Sequence, residues 1–223
     1  WAGTIDAGVS HYTRRPAGED PLRAYGVGAY WTHFGPSGWY LDGVLQVNRF
    51  DIEAKPNDLA KLKTRGWGYT ASLENGYPYE VDKDWYVEPQ LQAIYSYVDL
   101  DSSDDVGANV RFKDVDSLIG RLGVRIAKDW ETEGVDKSER RTNAWVRPSV
   151  WHEFKGQPKT EFSSESGYVP FESDIQGTWG EVNLGVDYQA NRRTTFTASA
   201  GYRQGFDGDS HGYDAMLGFK INF

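Results

Sequence analysis

The chain ends with Tyr213-Asp214-Ala215-Met216-Leu217-Gly218-Phe219-Lys220-Ile221-Asn222-Phe223, in which every second residue is apolar. In a strand, this spacing places the apolar side chains on one face and the polar or small ones on the other. Soluble proteins rarely end on such a strand because termini fray, whereas a transmembrane barrel must close with its last strand. We therefore predict an all-β fold, a transmembrane antiparallel up-and-down β-barrel.

The composition excludes several alternatives to this fold. A mean hydropathy of -0.66 suits a soluble protein or a barrel, because barrel strands keep their apolar residues at alternate positions. No window approaches the ~20 apolar residues that a membrane helix needs, which excludes a helical membrane protein. The chain has 9 tryptophans and 14 tyrosines against 10 phenylalanines, as is typical of aromatic girdles. It has no cysteine for disulfides or thiolate sites, and its net charge of -9 argues against nucleic acid as a partner.

Ten alternating segments of barrel-strand length can be traced along residues 1–223, which we treat as one domain. Their apolar positions are expected to face lipid, and they include Leu45, Leu91, Leu122, Val124, Leu184, Val186 and Ala198. Their polar positions are expected to face a water-filled lumen, and they include Asp42, Glu74, Glu88, Gln90, Arg121, Arg125, Glu181, Asp187, Arg203 and Asp214. The count of ten strands, the last of them at the C-terminus, agrees with the even strand numbers of bacterial barrels.

The lengths of the connections predict the orientation of the barrel. Barrels of this class have short periplasmic turns and longer external loops. Short connections at 35–38, 81–84 and 190–193 alternate with long ones at 51–63, 99–116 and 156–178, while 128–142 is an overlong periplasmic turn. With the last strand running down to the periplasm, both ends of the chain are expected on the periplasmic side.

Four motifs carry a family resemblance. They are Gly38-Trp39-Tyr40-Leu41-Asp42, Trp85-Tyr86-Val87-Glu88-Pro89-Gln90, Gly120-Arg121-Leu122-Gly123 and the terminal Gly-Phe-Lys-Ile-Asn-Phe. In this order they make the whole chain similar to the pertactin-like translocator domain of autotransporters, the proteins of type V secretion. The resemblance implies a twelve-stranded barrel in the outer membrane of Gram-negative bacteria. It also implies an α-helix in the pore and delivery of an upstream passenger domain to the cell surface.

The chain departs from this family pattern at its N-terminus. Its ten strands align with the family's third to twelfth, so the pore helix and the first two strands are expected upstream of Trp1. If they were absent altogether, ten strands would close a narrower barrel or leave the edges of the first and last strands open. The resemblance further implies a monomer whose partners are outer-membrane lipid, the passenger, the pore helix and the barrel-assembly machinery. No cofactor or metal is expected.

The candidate residues allow two interpretations each. The inward charges either keep the wall hydrated and hold the pore helix and a sliding polypeptide by replaceable contacts, or form only cross-strand ion pairs. Gly123 either leaves room for an aromatic ring of a neighbouring strand or marks a bend. The terminal residues Gly218, Phe219, Ile221 and Phe223 either form a β-signal that the assembly machinery reads by strand pairing or simply end the last strand.

No enzyme is predicted, although some outer-membrane barrels are hydrolases. The four histidines, His11, His33, His152 and His211, lie near expected strand ends or loops without a recognisable Ser/Asp spacing, although Ser149 is close in sequence to His152. The acidic run 101–105 lacks the glycine and glutamate positions of a calcium loop and is expected to be solvated. A free-standing porin-like channel is the main alternative to a translocator, and the upstream sequence separates these two functions.

Overall fold

The computed structural model describes residues 2–7, 10–12, 15–19, 22–56, 62–104, 109–133, 139–164, 167–191, 193–207 and 210–221. Every regular element in these ranges is a β-strand. No helix long and apolar enough to cross a membrane occurs in the described ranges. The strands are β1 Ala2–Ala7, β2 Ser10–Tyr12, β3 Arg15–Glu19, β4 Leu22–Phe34, β5 Tyr40–Pro56, β6 Leu62–Gly76, β7 Tyr79–Asp82, β8 Trp85–Leu100, β9 Ser103–Asp104, β10 Asn109–Phe112, β11 Val115–Glu133, β12 Glu139–Glu153, β13 Lys159–Ser164, β14 Gly167–Glu172, β15 Gly177–Gln189, β16 Thr194–Gly205 and β17 His211–Ile221.

Ten strands form the continuous path of one curled antiparallel sheet, which we call the wall, and β2, β3 and β7 join this sheet beside the path. The order along the path is β1-β4-β5-β6-β8-β11-β12-β15-β16-β17, so successive long strands are neighbours, as in an up-and-down barrel. The predicted fold class is confirmed. In the described part of the chain, the strands at the two ends of this order pair only with their inner neighbours, β1 with β4 and β17 with β16.

The two faces of the wall differ sharply in chemistry. Gln90 is 4% exposed while the next residue, Leu91, is 63% exposed, and Arg121 is 2% exposed beside Leu122 at 66%. Successive residues of a strand point to opposite faces, so the polar side chains contact one another on one face and the apolar ones lie open on the other. We call these the polar face and the apolar face of the wall.

Two predicted loops contain strands instead. Within 99–116 and 156–178, strands β9, β10, β13 and β14 form a second sheet in the order β14-β13-β10-β9, which we call the loop sheet. Its strands have only 2–6 residues, too few for a period-two pattern to stand out from a polar loop. Pairing between the two loops, with Val110 opposite Phe162, supplies the long-range contacts that the local sequence does not reveal.

Two further connections are shorter than predicted. The pairing of β11 with β12 continues to Glu133 opposite Glu139, so 128–142 is mostly a paired hairpin and not an overlong turn. Likewise β5 reaches Pro56 and β6 begins at Leu62, inside the predicted loop 51–63. Opposite charges across the strands compensate for the polar sequence, since Glu131 lies opposite Arg141 and Glu53 opposite Lys63, whose Nζ is 3.3 Å from Glu53 Oε1.

The short turns have recognisable local causes. At 35–38 the Gly38 amide donates to the Gly35 carbonyl over 3.0 Å, and Gly38 has a φ of +93°, a conformation that favours glycine. The alternation of apolar residues from Trp67 to Tyr79 predicts a single strand, but β6 does not run on through Tyr79. It ends at Gly76, and Pro78, which has no amide hydrogen to donate, separates it from β7.

Candidate functional site

The centre of the polar face is a cluster in which Tyr40 joins three strands. The Tyr40 hydroxyl lies 2.8 Å from Glu74 Oε1 and 2.9 Å from Glu88 Oε1. Gln90 Nε2 donates to Tyr40 Oη over 3.0 Å and to Glu88 Oε1 over 2.6 Å. One phenol therefore connects β5, β6 and β8 through side chains as well as through the backbone ladder.

Arg121 completes this cluster from β11. Its Nη2 is 2.7 Å from Glu74 Oε2, and its Nη1 donates to Gln90 Oε1 over 3.1 Å. Its guanidinium carbon lies 5.3 Å from the centre of the Trp151 ring on β12, within cation–π range. A buried arginine that pairs with a carboxylate, an amide and an indole is fixed in one position.

The polar contacts continue toward the short-turn end of the wall. Arg125 Nη1 is 3.6 Å from Glu88 Oε2, and Arg125 Nη2 donates to Asn143 Oδ1 over 2.6 Å. Asn143 Nδ2 then donates to Asp129 Oδ1 over 2.5 Å, and Arg141 pairs with the same carboxylate. Charges of both signs therefore alternate along the face, which keeps it polar without a large net field.

Trp145 extends the cluster to the last strands. Its ring lies 5.6 Å from the guanidinium carbon of Arg125 and 5.7 Å from that of Arg147. Its Nε1 donates to Asp187 Oδ2 over 3.3 Å, and Thr197 donates to Asp187 Oδ1 over 2.7 Å. Side-chain contacts thus run from β5 to β16 across the wall.

The remaining residues predicted to face inward lie on this same face. Directly opposite residues of an antiparallel ladder share a face, which places Asp42 beside Glu74 and Glu181 beside Arg203. Asp214 lies opposite Gly201, and its Oδ1 occupies the space that a β-carbon at Gly201 would need. Arg203 and Asp214 are exposed, because they approach the outer edge of the sheet at β17.

Several hydrogen-bond donors on the polar face have no acceptor in the described part of the chain. The buried atoms are Arg121 Nε, Arg147 Nε, Ser149 Oγ and Trp151 Nε1, all on β11 and β12. Buried polar atoms in folded proteins almost always have a partner. We call these four atoms the donor cluster.

Sequence reasoning did not single out several members of this site. Asn143, Trp145 and Trp151 occupy positions that the alternation assigns to the polar face, but the two indoles are expected in aromatic girdles. Tyr40 was quoted only as part of a motif, although it lies two residues before Asp42 and so on the same face. Strand parity is the signal that identifies all four.

Glycines make room for aromatic rings on this face, though not at Gly123. A β-carbon on Gly123 would lie 2.7 Å from Ser149 Oγ, so a hydroxyl and not the predicted ring occupies the space. Aromatic rings do fill the corresponding space beside two other glycines of this face. A β-carbon on Gly76 would lie 2.5 Å from Tyr40, and one on Gly185 would lie 2.5 Å from Trp145.

The terminal residues lie on the exposed outer strand of the wall. Gly218, Phe219 and Ile221 belong to β17 and pair with Thr197, Phe196 and Thr194 of β16. Phe219 is exposed on the apolar face. Phe223, the last residue of the predicted signal, lies outside the described residues.

The histidines do not assemble with acidic or hydroxyl groups into a hydrolytic arrangement in the described residues. His33 lies between Trp31 and Trp39, at ring-centre distances of 5.7 Å and 5.2 Å. His152 Nδ1 is 2.7 Å from Thr178 Oγ1, whereas Ser149, three residues earlier, points to the opposite face of β12. Within the described ranges, no group of three His, Cys, Asp or Glu side chains could hold a metal ion.

Comparison with known proteins gives consistent similarities. The family model described as the autotransporter beta-domain matches residues 6–201. The chain is 31% identical over 188 residues to the adhesin BmaC autotransporter of Brucella suis, covering 81% of this chain and 5% of that protein. It is 29% identical over 184 residues to the pertactin autotransporter of Bordetella bronchiseptica, covering 80% of this chain and 19% of that protein.

A solved structure gives the same result for the fold. The crystal structure of the beta domain of the Bordetella autotransporter BrkA matches all of this chain and 89% of that chain, with a TM-score of 0.70 and 20% identity. The chain spans only 5% and 19% of the lengths of BmaC and pertactin. Because the family model covers most of the sequence, the chain belongs to the autotransporter beta-domain family.

Proposed function

We propose that this chain forms the outer-membrane translocator of an autotransporter and delivers an upstream passenger domain to the cell surface. One observation carries the proposal: a wall with a hydrogen-bonded polar face and an exposed apolar face, built from strands as long as 19 residues. An open polar face suits a water-filled lumen, and an open apolar face suits lipid. Family membership supports placing this wall in the bacterial outer membrane.

The polar face is proposed to line the translocation path. A sliding polypeptide carries a carbonyl group at every residue, and the polar side chains of this face offer several positions at which such groups can be exchanged. Ion pairs such as Arg121–Glu74 keep the fixed charges of the wall paired when no passenger is present. The path therefore binds through replaceable polar contacts and not through apolar adhesion.

The donor cluster is also proposed as the place where the family's pore helix rests. Its buried nitrogens and hydroxyl lack acceptors in the described residues, and an acidic or amide side chain of the helix would supply them. This helix and two further strands are expected upstream, as the resemblance implies. The available outer edges of β1 and β17 are compatible with such an addition.

Gly218, Phe219, Ile221 and Phe223 are proposed to act as the signal for barrel assembly. β17 has one edge paired with β16, and in the described part of the chain its other edge has no partner strand. A strand with an available edge can add to a sheet of the assembly machinery before the barrel closes. Recognition would then depend on the alternating apolar residues that end the chain.

The proposal is tested with the full-length protein in cells and in planar bilayers. We expect the passenger to be accessible to external protease, and we expect removal of the segment immediately upstream to increase conductance by unplugging the lumen. Spin labels at Leu122 and Arg125 should respond preferentially to lipid-soluble and water-soluble relaxing agents, respectively. Equal responses would contradict the assignment of the faces, while equal conductances with and without the segment would favour a free-standing channel.

A further inference from the structure

A lysine lies between two indole rings on the apolar face of the wall. Lys128 Nζ is 4.9 Å from the ring centre of Trp85 on β8 and 5.4 Å from that of Trp130 on its own strand. Lys128 is opposite Trp85 in the ladder, and the apolar face continues from it through Ile126 and Val124. A charged group therefore ends the lipid-facing surface at the end of the wall that carries the short turns.

Two other outward lysines, at the opposite end of the wall, have carboxylate partners. Lys63 pairs with Glu53, and Lys155, which lies 5.7 Å from the ring centre of Tyr95, pairs with Asp116. No carboxylate oxygen in the described ranges lies within 4.0 Å of Lys128 Nζ. Lys128 thus combines cation–π contacts with a charge that no acidic side chain among these residues neutralises.

The neighbouring charges are segregated between the two faces. Asp129 and Glu131, which alternate with Lys128 and Trp130 along β11, point to the polar face, where Arg141 pairs with Asp129. Arg140 lies opposite Thr132 and shares the apolar face with Lys128. The adjacent turn contributes Asp82, whose Oδ1 accepts a hydrogen bond from the Lys83 amide over 2.7 Å. The outward side of the β11–β12 hairpin therefore carries Lys128, Trp130 and Arg140, while Asp82 lies opposite Trp85 in the neighbouring ladder.

We infer that Trp85, Lys128 and Trp130 form a binding site for the phosphate headgroup of an anionic glycerophospholipid in the periplasmic leaflet. The site rests on the proposed function, since that function sets the side of the membrane. A phosphodiester is complementary to the lysine charge, the indoles lie at headgroup depth, and the acyl chains follow the apolar face toward Val124.

The test uses full-length protein purified in detergent and titrated with lipid under native mass spectrometry. The probes are dioleoyl phosphatidylglycerol, dioleoyl phosphatidylcholine, lipid A and inorganic phosphate. We expect phosphatidylglycerol to bind several-fold tighter than phosphatidylcholine, and Lys128→Gln to remove this preference. Trp130→Leu, which keeps an apolar surface but removes one indole, should weaken binding as well. Heat-modifiable migration in gels confirms that each variant is folded.

Lys155→Gln is the matched control, since Lys155 also contacts an aromatic ring but already has a carboxylate partner. It should leave the preference for phosphatidylglycerol unchanged. Equal losses in the Lys128 and Lys155 variants, or equal binding of the two phospholipids, would overturn the inference. Tighter binding of lipid A or of free phosphate would also overturn it. Surface delivery of the passenger is measured separately, so failure of the lipid site is distinguishable from failure of the translocator function.

Discussion

The wall and the loop sheet are built with the same period-two pattern but face different surroundings. In the wall, polar side chains contact one another and Leu122 lies open. In the loop sheet, Val110 is 3% exposed, and the face carrying Arg111, Lys113, Lys159 and Glu161 is charged. An amphipathic sheet therefore does not by itself reveal its solvent. The two sheets differ at Val110, which is buried, although its neighbours Phe162 and Val169 in the loop sheet are 38% and 45% exposed.

The two sheets also differ in how much their ion pairs contribute to the stability of the fold. On the polar face, Arg121 is buried and has several partners, whereas in the loop sheet Lys159 and Glu172 pair over 2.8 Å at the surface. Water competes for the second pair and much less for the first. Substitutions of similar size should therefore have very different effects in the two sheets.

The largest expected loss in the free energy of unfolding is that caused by Arg121→Met. Removing the guanidinium leaves Glu74 Oε2 and Gln90 Oε1 without their donor, and breaking a buried ion pair in this way costs on the order of 3–5 kcal/mol. Arg111→Met in the loop sheet, where the guanidinium lies 3.8 Å from the Tyr168 ring centre, should cost only about 0.5–1 kcal/mol. Urea unfolding in lipid vesicles measures both variants. Similar losses would mean that the polar face is as well hydrated as the loop sheet.

The next effect comes from placing a charge on each apolar surface. Leu122→Arg should cost roughly 2–4 kcal/mol if Leu122 faces the middle of a bilayer. Phe171→Arg changes an exposed apolar residue of the loop sheet and should have little effect on unfolding of the wall. The comparison fails if both arginines are tolerated equally in vesicles, because Leu122 would then face water.

A smaller effect is expected where rings occupy the space beside glycines. Gly76→Ala and Gly185→Ala place a methyl group 2.5 Å from Tyr40 and from Trp145, and such overpacking costs about 1–3 kcal/mol. Gly218→Ala is the matched control, because the nearest atom to its added β-carbon is 4.0 Å away. The free energy of unfolding is measured for all three variants. A loss in the control as large as in the other two would exclude the rings as the cause.

The smallest expected effect is a loss of stability in the loop sheet at low pH. The Lys159 ammonium lowers the pKa of Glu172 from its usual 4.5 by a hydrogen bond and by charge attraction. A carboxyl whose folded pKa is depressed contributes stability above its unfolded pKa, and this contribution is lost as the pH falls through the folded value. Hydrogen exchange in β13 and β14 should therefore accelerate below pH ~4. Glu172→Gln should remove this acceleration, and its persistence in that variant would assign it to another group.

Strand parity allowed the wall to be predicted from the sequence but not its contacts. Leu91, Leu122 and Leu184 could be assigned to one face because each lies in a long, regular strand. Tyr40, Trp145 and Trp151 escaped notice because aromatic residues occur both in girdles and among lumenal polar groups. Their position was decided by cross-strand partners such as Gly76 and Gly185, and the sequence does not state which residues lie opposite each other.

The loop sheet could not be predicted for a related reason. Each of its strands is short, and none has a hydrophobic run that would distinguish it from a solvated loop. Its stability depends on contacts between segments about 50 residues apart, such as Val110 with Phe162 and the Asn109 amide with Ser163 Oγ over 2.8 Å. Local pattern reasoning does not detect pairing between two different loops.

The loop sheet also has a mechanical consequence. The hairpins β8–β11 and β12–β15 are joined within the wall by β11 with β12, and above it by β10 with β13. These two connections form a closed circuit of hydrogen bonds, so neither hairpin can separate without breaking both. A force applied at this edge of the wall is therefore distributed over four long strands, and this sector of the wall resists tearing as a unit.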